Sequence, residues 1–143
     1  MRVYLDNCCY NRPFDNQNQL RVYLESVAKL EIQSLMGSGD LEYAWSDMLD
    51  GEIADNPSIE KRRKILPWRN GAAVRIHITP EIEQRAQSLM KVGIKSADAL
   101  HLVCAECADC DWFLTVDKGI LSKVRNVGAM RVGNPLAYVQ EVM

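Results

Sequence analysis

Four acidic residues stand where separate segments of an α/β fold would bring carboxylates together. Asp6 ends a short apolar segment near the start of the chain, and Asp117 ends another. Asp98 falls in the first turn of a predicted helix, where free backbone N–H groups favour an anion. Glu52 falls in the helix after the second predicted strand. Strand ends and helix starts share the edge of a parallel sheet that binds ligands, so these side chains could converge there.

Carboxylates that converge need a counter-charge, because like charges raise one another's pKa and oppose ionisation. A hard divalent cation removes the repulsion, and carboxylate oxygens suit Mg²⁺ or Mn²⁺. Such an ion activates water and stabilises charge on a phosphate, which is the chemistry of a metal-dependent nuclease. The simpler alternative is that 19 acidic residues among 143 place some at strand ends by chance, and that Asp98 only caps its helix.

The elements that would position these acids are clearest between Gly93 and Lys118. Ser96 can N-cap a helix whose apolar residues recur at helical spacing. The segment Trp112–Val116 is short, aromatic and β-branched, as a buried strand should be. This unit therefore predicts a helix that leads into a buried strand ending at Asp117.

The rest of the chain alternates in the same way. Further strands are predicted over residues 2–5, 41–45, 72–78 and 129–132. Helices are predicted over residues 18–35, after Ser46, after Pro57, after Thr79, over 120–124 and at the C-terminus, and residues 8–16 are predicted as a loop. We expect the core-facing stripe of the 18–35 helix to consist of Leu20, Leu24, Val27, Ala28 and Leu35. The alternation predicts a three-layer α/β/α sandwich with a mostly parallel sheet, as one domain over residues 1–143.

Composition limits the classes of function. The net charge is −2, so nucleic-acid binding would have to depend on a local basic patch. No apolar run approaches the ~18–20 residues that span a membrane, and the N-terminus lacks a signal-peptide pattern. Five cysteines, an odd number, argue against a secreted disulfide framework and favour a reducing, cytoplasmic location.

Four segments of the chain resemble the four acidic motifs of the PIN-domain family, which includes the VapC-type toxins of toxin–antitoxin pairs. The segments are YLDNCCYNRP (Tyr4–Pro13), WSDMLDGEI (Trp45–Ile53), IKSADALHLVCAE (Ile94–Glu106) and FLTVDKGIL (Phe113–Leu121). They follow the expected order over nearly the whole chain, and the ADALH run with the LTVD strand end is the most specific part. The resemblance implies a PIN-like α/β/α fold and a Mg²⁺- or Mn²⁺-dependent ribonuclease, a hydrolase of RNA phosphodiester bonds.

The family's acids carry over by position. The resemblance implies that Asp6, Glu52, Asp98 and Asp117 are the catalytic and metal-binding residues. The second motif is a loose match, and Glu31 on the long helix is the rival to Glu52. Polar residues that support the acids in the family correspond to Asn7 and Thr115.

Substrate and partners follow from the same interpretation. Contacts to RNA phosphates are expected from four basic residues, with Trp68 available to stack a base. These residues are Lys95, Lys118, Arg62 and Arg63. The family implies an RNA substrate, a protein antitoxin and a homodimer. The alternative is a non-catalytic PIN-like module that binds nucleic acid or serves as a scaffold. His101 stands one turn after Asp98 and is expected to be an ordinary half-buried histidine rather than a catalytic one.

Overall fold

The computed structural model describes all residues from Met1 to Met143. Six strands form one sheet: β1 (Arg2–Leu5), β2 (Glu42–Ser46), β3 (Val74–Ile76), β4 (Trp112–Leu114), β5 (Asn126–Val127) and β6 (Met130–Gly133). Eight α-helices accompany it: α1 (Asn7–Asn11), α2 (Leu20–Ser38), α3 (Asp47–Ala54), α4 (Ile59–Ile65), α5 (Pro80–Met90), α6 (Ser96–Cys107), α7 (Lys118–Leu121) and α8 (Pro135–Val142). Two 3₁₀ helices cover Arg12–Phe14 and Leu66–Gly71.

The sheet is mixed, with the strand order β3-β2-β1-β4-β6-β5. The β1–β2, β1–β4, β2–β3 and β4–β6 pairs are parallel, whereas β5 and β6 form an antiparallel hairpin with Val127 opposite Met130. Gly128 adopts a φ of 58° at the first turn position, as a type II′ hairpin requires. The prediction of a PIN-like sandwich with a mostly parallel sheet is therefore corrected to a six-stranded mixed sheet that ends in a hairpin.

Helices cover both faces of the central strands. The consecutive residues Val3, Tyr4 and Leu5 are all fully buried, which requires apolar cover above and below β1. Tyr4 stacks on Phe113 of the neighbouring strand, with a ring-centroid distance of 5.3 Å. On the opposite face Trp112 makes an edge contact with Tyr138 of α8 at 5.4 Å. One hydrophobic core therefore surrounds the strands whose carboxyl ends lead to Asp6 and Asp117. We call this edge of the sheet, with Glu52 and Asp98, the acidic edge.

Local differences from the sequence predictions have simple causes. Residues 8–16 are not a loop, because Asp6 accepts a hydrogen bond from the backbone N–H of Asn7 and caps the short helix α1. Strand β3 is only three residues long, and β4 ends at Leu114 rather than at Val116. Neither change moves the acids from the strand ends.

The predicted core stripe of α2 is wrong except at Ala28, which is buried, and at Leu35, which is half-buried. Leu20, Leu24 and Val27 are 71%, 40% and 42% exposed, and Tyr23 and Leu30 are also exposed. The buried face of the helix instead carries charged and polar residues. These are Glu25, Ser26, Lys29 and Gln33, together with Val22, Ala28, Ile32 and Met36. The apolar residues that recur at helical spacing, Leu20, Leu24 and Val27, therefore form a surface that no other element of the chain covers.

Candidate functional site

Asp6 stands at the carboxyl end of β1 and is only 6% exposed. Thr115 donates its hydroxyl to Asp6 Oδ2 at 2.9 Å, and the backbone N–H of Asn7 donates to Oδ1 at 2.8 Å. Burial raises the pKa of Asp6, and the nearby charge of Glu52 adds to the rise, while His101 and Thr115 oppose it. Thr115 thus lies in the supporting position that the family resemblance implied. The Asn7 side chain instead accepts a hydrogen bond from Asn11.

His101 connects two of the predicted acids. This side chain is 1% exposed, and its Nε2 atom hydrogen-bonds Glu52 Oε1 and lies 3.9 Å from Asp6 Oδ1. Its Nδ1 atom is 2.6 Å from the Tyr4 hydroxyl, which is itself 2.6 Å from the Ser46 hydroxyl. Burial alone would lower the pKa of His101, but the hydrogen bond to Glu52 and the charges of Asp6, Glu52 and Asp98 raise it overall. His101 is therefore fully buried rather than half-buried as expected, and it contacts two of the predicted acids.

Asp98 and Asp117 face each other across a small cavity of about 50 Å³. Asp98 lies half-buried in the first turn of α6, and its pKa is raised by burial and then by the charges of Asp6 and Asp117. Asp117 caps α7, since its Oδ1 accepts from the backbone N–H groups of Gly119 at 2.7 Å and Ile120 at 3.3 Å. Lys95 lines the same cavity, whereas Lys118 does not.

The structure thus brings the four predicted acids to one edge, and Glu52 rather than Glu31 belongs to the set. Glu31 is exposed on α2, and Glu52 reaches Asp6 through His101. Carboxylate oxygens that raise one another's pKa are a donor set suited to a hard cation. No three His, Cys, Asp or Glu side chains surround one point closely enough to hold a metal ion. The chemistry therefore fits Mg²⁺ or Mn²⁺, but a bound ion would require the side chains to draw together.

A second feature is a pocket of about 500 Å³ with three arginines in its wall. The lining residues are Ile59, Arg62, Arg63, Leu66, Pro67, Arg69 and Asn70. Arg69 is anchored by Asp50 at 3.3 Å, and its Nε atom is buried without a hydrogen-bond partner. No acidic residue lines this pocket, which we call the arginine pocket. Trp68 does not line this pocket and lies near Gly37 of α2 instead.

Hydrogen bonds connect the arginine pocket to the acidic edge. Arg62 donates to the backbone oxygen of Asn56, whose side chain donates to Asn11 Oδ1 at 3.3 Å. Asn11 donates in turn to Asn7, the residue after Asp6. This series of contacts fixes the start of α4 against α1, so that the positive and negative surfaces keep a defined relative position.

Comparison with known proteins shows that solved structures share this fold, but it does not assign the chain to a family. No family model matches the chain, and no curated protein matches it. The structure resembles VapBC2 from Rickettsia felis, solved with a DNA fragment from its promoter, at a TM-score of 0.58 and 14% identity. It also resembles FitAcB from Neisseria gonorrhoeae, at a TM-score of 0.59 and 20% identity. Each match covers 94% of this chain and 98% of the other.

These findings correct two predictions. The assignment to the PIN-domain family is not upheld, because no family model matches and identities of 14% and 20% show a fold alone. The prediction of a ribonuclease toxin depended on that assignment and is corrected with it, because a likeness of fold at these identities carries no activity. No helix is long and apolar enough to cross a membrane.

Proposed function

We propose that this protein is a nucleic-acid-binding module whose arginine pocket holds the phosphates of a single strand. The observation that carries the proposal is the set Arg62, Arg63 and Arg69 around an open pocket without an acidic residue. Arginine is the side chain best suited to phosphate oxygens, because its planar guanidinium can donate two parallel hydrogen bonds. Since the net charge of the chain is −2, binding must depend on this local patch.

The apolar part of the pocket supports a single strand over a duplex. Ile59, Leu66 and Pro67 lie between the arginines, and Ile59 is 55% exposed. Unpaired bases present apolar faces that can cover such residues, whereas a duplex hides its bases in the stack. The structure of VapBC2 with promoter DNA supports nucleic acid as a ligand of this fold, although that DNA is a ligand of the VapBC2 assembly.

The acidic edge has a separate role in the proposed function, which is to bind a divalent cation. Asp6, Asp98 and Asp117 would repel a phosphate strand, and a divalent cation would remove that repulsion. We propose Mg²⁺ or Mn²⁺ as the ion, held by these residues with Glu52. Lys95, which lines the cavity between Asp98 and Asp117, is then placed to contact a phosphate. Hydrolysis at this edge stays a sequence prediction that the comparisons do not test.

The experiment is a binding titration with a fluorescent ten-nucleotide strand, as RNA and as DNA, at several salt concentrations. Release of counterions from about three phosphates gives a slope of roughly −2 for log K against log salt on a single strand. The double variant R62Q/R63Q should lower the slope by about 1.4, because two charge contacts are lost. The control Lys91→Gln, at an exposed lysine outside the pocket, should leave the slope unchanged.

Two outcomes would contradict this function. Equal binding by the wild type and by R62Q/R63Q would exclude the arginine pocket as the site. Shortening of the RNA in the presence of Mn²⁺, lost in Asp98→Asn, would show that the acidic edge cleaves and that the module is not confined to binding.

We also propose that the exposed stripe of α2 is an interface with a second copy of this chain. Residues 20, 24, 27 and 31 recur at helical spacing, so they share one face. Glu31 stands at one end of the stripe, and Arg21, which is paired with Glu25 at 3.3 Å, stands beside the other end. In an antiparallel two-fold pairing, Arg21 of each copy meets Glu31 of the other around the apolar centre, which makes the surface self-complementary.

A further inference from the structure

Three charged side chains are almost completely buried, and only two of them have a partner. Glu25, which is fully buried, accepts from Arg12 at 2.8 Å and 3.0 Å and also from Asn134. Asp6 accepts from Thr115 and from a backbone N–H group. Lys29 is only 4% exposed, yet it forms no hydrogen bond or ion pair. Its Nζ atom lies 5.7 Å from the centre of the Tyr10 ring. A buried charge without a partner is costly to the fold.

The ammonium group of Lys29 has access to a pocket rather than to a neighbouring acid. The pocket has a volume of about 180 Å³ and lies where α2, α4 and the two 3₁₀ helices meet. Its lining residues are Tyr10, Pro13, Phe14, Lys29, Leu30, Gln33, Lys64, Ile65 and Trp68. Two of these residues are lysines, three are aromatic and none is acidic. The pocket therefore combines positive charge with apolar ring faces.

The other charges around this pocket have the same sign. The Nζ atoms of Lys61 and Lys64 lie 5.9 Å and 5.7 Å from the centre of the Phe14 ring. Lys64 is paired with Glu60 on the exposed side of α4, at 3.3 Å, whereas Lys29 has no such pairing. Burial lowers the pKa of Lys29 to about 8, so that the group is still mostly protonated at neutral pH. An anion in the pocket would supply the missing counter-charge.

We propose that this pocket binds a nucleoside monophosphate or the terminal nucleotide of a strand, with the phosphate on Lys29 and the base against the aromatic rings. A phosphate satisfies the unpaired ammonium group, and stacking on Phe14 or Trp68 suits any base. At about 180 Å³ the pocket is smaller than the ~300 Å³ at which small-ligand sites begin, so it takes the phosphate and part of the base, and the rest of the nucleotide lies outside its mouth. The site is distinct from the arginine pocket, and no residue lines both.

The test is calorimetric titration of the full-length protein with AMP, adenosine and inorganic phosphate. Tryptophan fluorescence is a second readout, because Trp45 and Trp112 are buried and only Trp68 lines the pocket. We expect AMP to bind at least tenfold more tightly than adenosine, and Trp68→Phe to remove the fluorescence change. In Lys29→Met, AMP should bind at least tenfold more weakly, and the difference between AMP and adenosine should disappear.

Lys29→Met keeps the length of the side chain and removes a buried charge, so this variant should fold. Lys91→Met is the matched control at an exposed lysine and should bind AMP like the wild type. Equal AMP affinity in the wild type and in Lys29→Met would overturn the proposal, and so would the absence of AMP binding at millimolar concentration. Because R62Q/R63Q leaves this pocket intact, loss of strand binding in that variant with retained AMP binding would separate this site from the proposed function.

Discussion

His101 Nε2 is hydrogen-bonded to Glu52 Oε1 and lies 3.9 Å from Asp6 Oδ1, so one buried imidazole joins carboxylates from α3 and from the end of β1. The charges of these acids are what keep the pKa of His101 above its usual value despite burial. The imidazole thereby offsets part of the repulsion at an edge where four acids meet. The same contact explains why Glu52, and not another acid of α3, belongs to the site.

Glu52→Gln should lower the pKa of His101 and destabilise the fold. A histidine whose pKa is raised on folding stabilises the protein most below its unfolded value of ~6.5, and this contribution is lost as the pH rises through the folded value. We expect a loss of about 1–2 kcal/mol in the free energy of unfolding at pH 6, as for a hydrogen bond to a charged group. Urea unfolding and an NMR titration of the histidines measure both effects.

The internal control for that titration is His77, the other histidine of the chain. It is exposed and paired with Asp47 at 3.0 Å, far along the sequence from the His101 cluster. Its chemical-shift titration should be the same in both proteins. A His101 titration that is unchanged by Glu52→Gln would show that the contact with Glu52 does not set its protonation.

Mn²⁺ should raise the melting temperature of the wild type, and Asp98→Asn should abolish most of that shift. The pKa of Asp98 is raised by burial and by the charges of Asp6 and Asp117, so its ionised form is disfavoured in the metal-free fold. Without metal, Asp98→Asn should therefore stabilise the protein at neutral pH. With Mn²⁺ the wild type should be the more stable of the two proteins. A bound ion stabilises the native state by mass action, and the variant lacks one of the ligands.

The control for the metal experiment is Asp55→Asn, since Asp55 is an exposed acid that follows α3. Its melting temperature should respond to Mn²⁺ like that of the wild type. An equal response in Asp98→Asn would show that the ion binds elsewhere or only adventitiously, and the proposed cation site would then be abandoned.

The contribution of Lys29 to stability, measured as the difference between the wild type and Lys29→Met, should rise between about pH 8 and pH 10.5. The buried thiols of Cys9, Cys104 and Cys110 have raised pKa values and lower the stability of both proteins in this range, so the difference isolates Lys29. The pKa of Lys29 falls from 10.5 to about 8 in the folded chain, so in this window the unfolded state binds the proton and the native state does not. Stability increases with pH wherever the unfolded state binds more protons. A difference of about 2.5 pKa values corresponds to roughly 3 kcal/mol, at 1.36 kcal/mol for each. Urea unfolding at pH 7.5, 9 and 10.5 measures the rise.

Lys29→Met should be more stable than the wild type at pH 7.5, and this difference should shrink as the pH rises to 10.5, because the buried lysine of the wild type is then neutral in the native state. Lys91→Met, at an exposed position, should keep the wild-type profile. A constant difference between the wild type and Lys29→Met over this range would show that the pKa of Lys29 is not lowered in the native state.

The proposed interface on α2 predicts a specific pattern of charge reversal. Arg21→Glu and Glu31→Arg should each weaken the dimer, because each places like charges at both ends of the two-fold contact. Arg21→Glu also puts an acid beside the buried Glu25, so its free energy of unfolding is measured together with its mass. The combined variant R21E/E31R should restore the dimer, since the opposite charges meet again with their places exchanged. Light scattering coupled to size-exclusion chromatography gives the mass of each variant.

Val27→Arg is expected to yield a monomer, because it places a charge at the apolar centre of the stripe. Val92→Arg is the control, as Val92 is 61% exposed outside α2. A wild-type chain that is monomeric at high concentration would exclude a second copy as the occupant of this surface. Failure of R21E/E31R to recover the dimer would exclude the antiparallel arrangement.

Much of the fold was accessible from local patterns. Short β-branched or aromatic runs mark strands, and capping residues such as Thr79 mark helix starts, because these signals act within a few residues of the chain. These local signals therefore indicate from the sequence alone that Asp6 and Asp117 follow strands. The β5 hairpin was missed, although Gly128-Ala129 between Val127 and Met130 is a turn signal.

What the sequence by itself determined about this protein is the order of most of its strands and helices and the position of Asp6, Asp98 and Asp117 near the ends of those elements, whereas it left Glu52 and Glu31 as alternatives for the fourth acid. Tertiary structure alone decided which face of α2 is buried, that His101 joins Glu52 to Asp6, and that Lys29 opens onto a pocket. The physical reason is that periodicity reveals an apolar face but not what covers it. Glu25 can be buried on the polar face of α2 only because Arg12 and Asn134, 13 and 109 residues away, supply its partners.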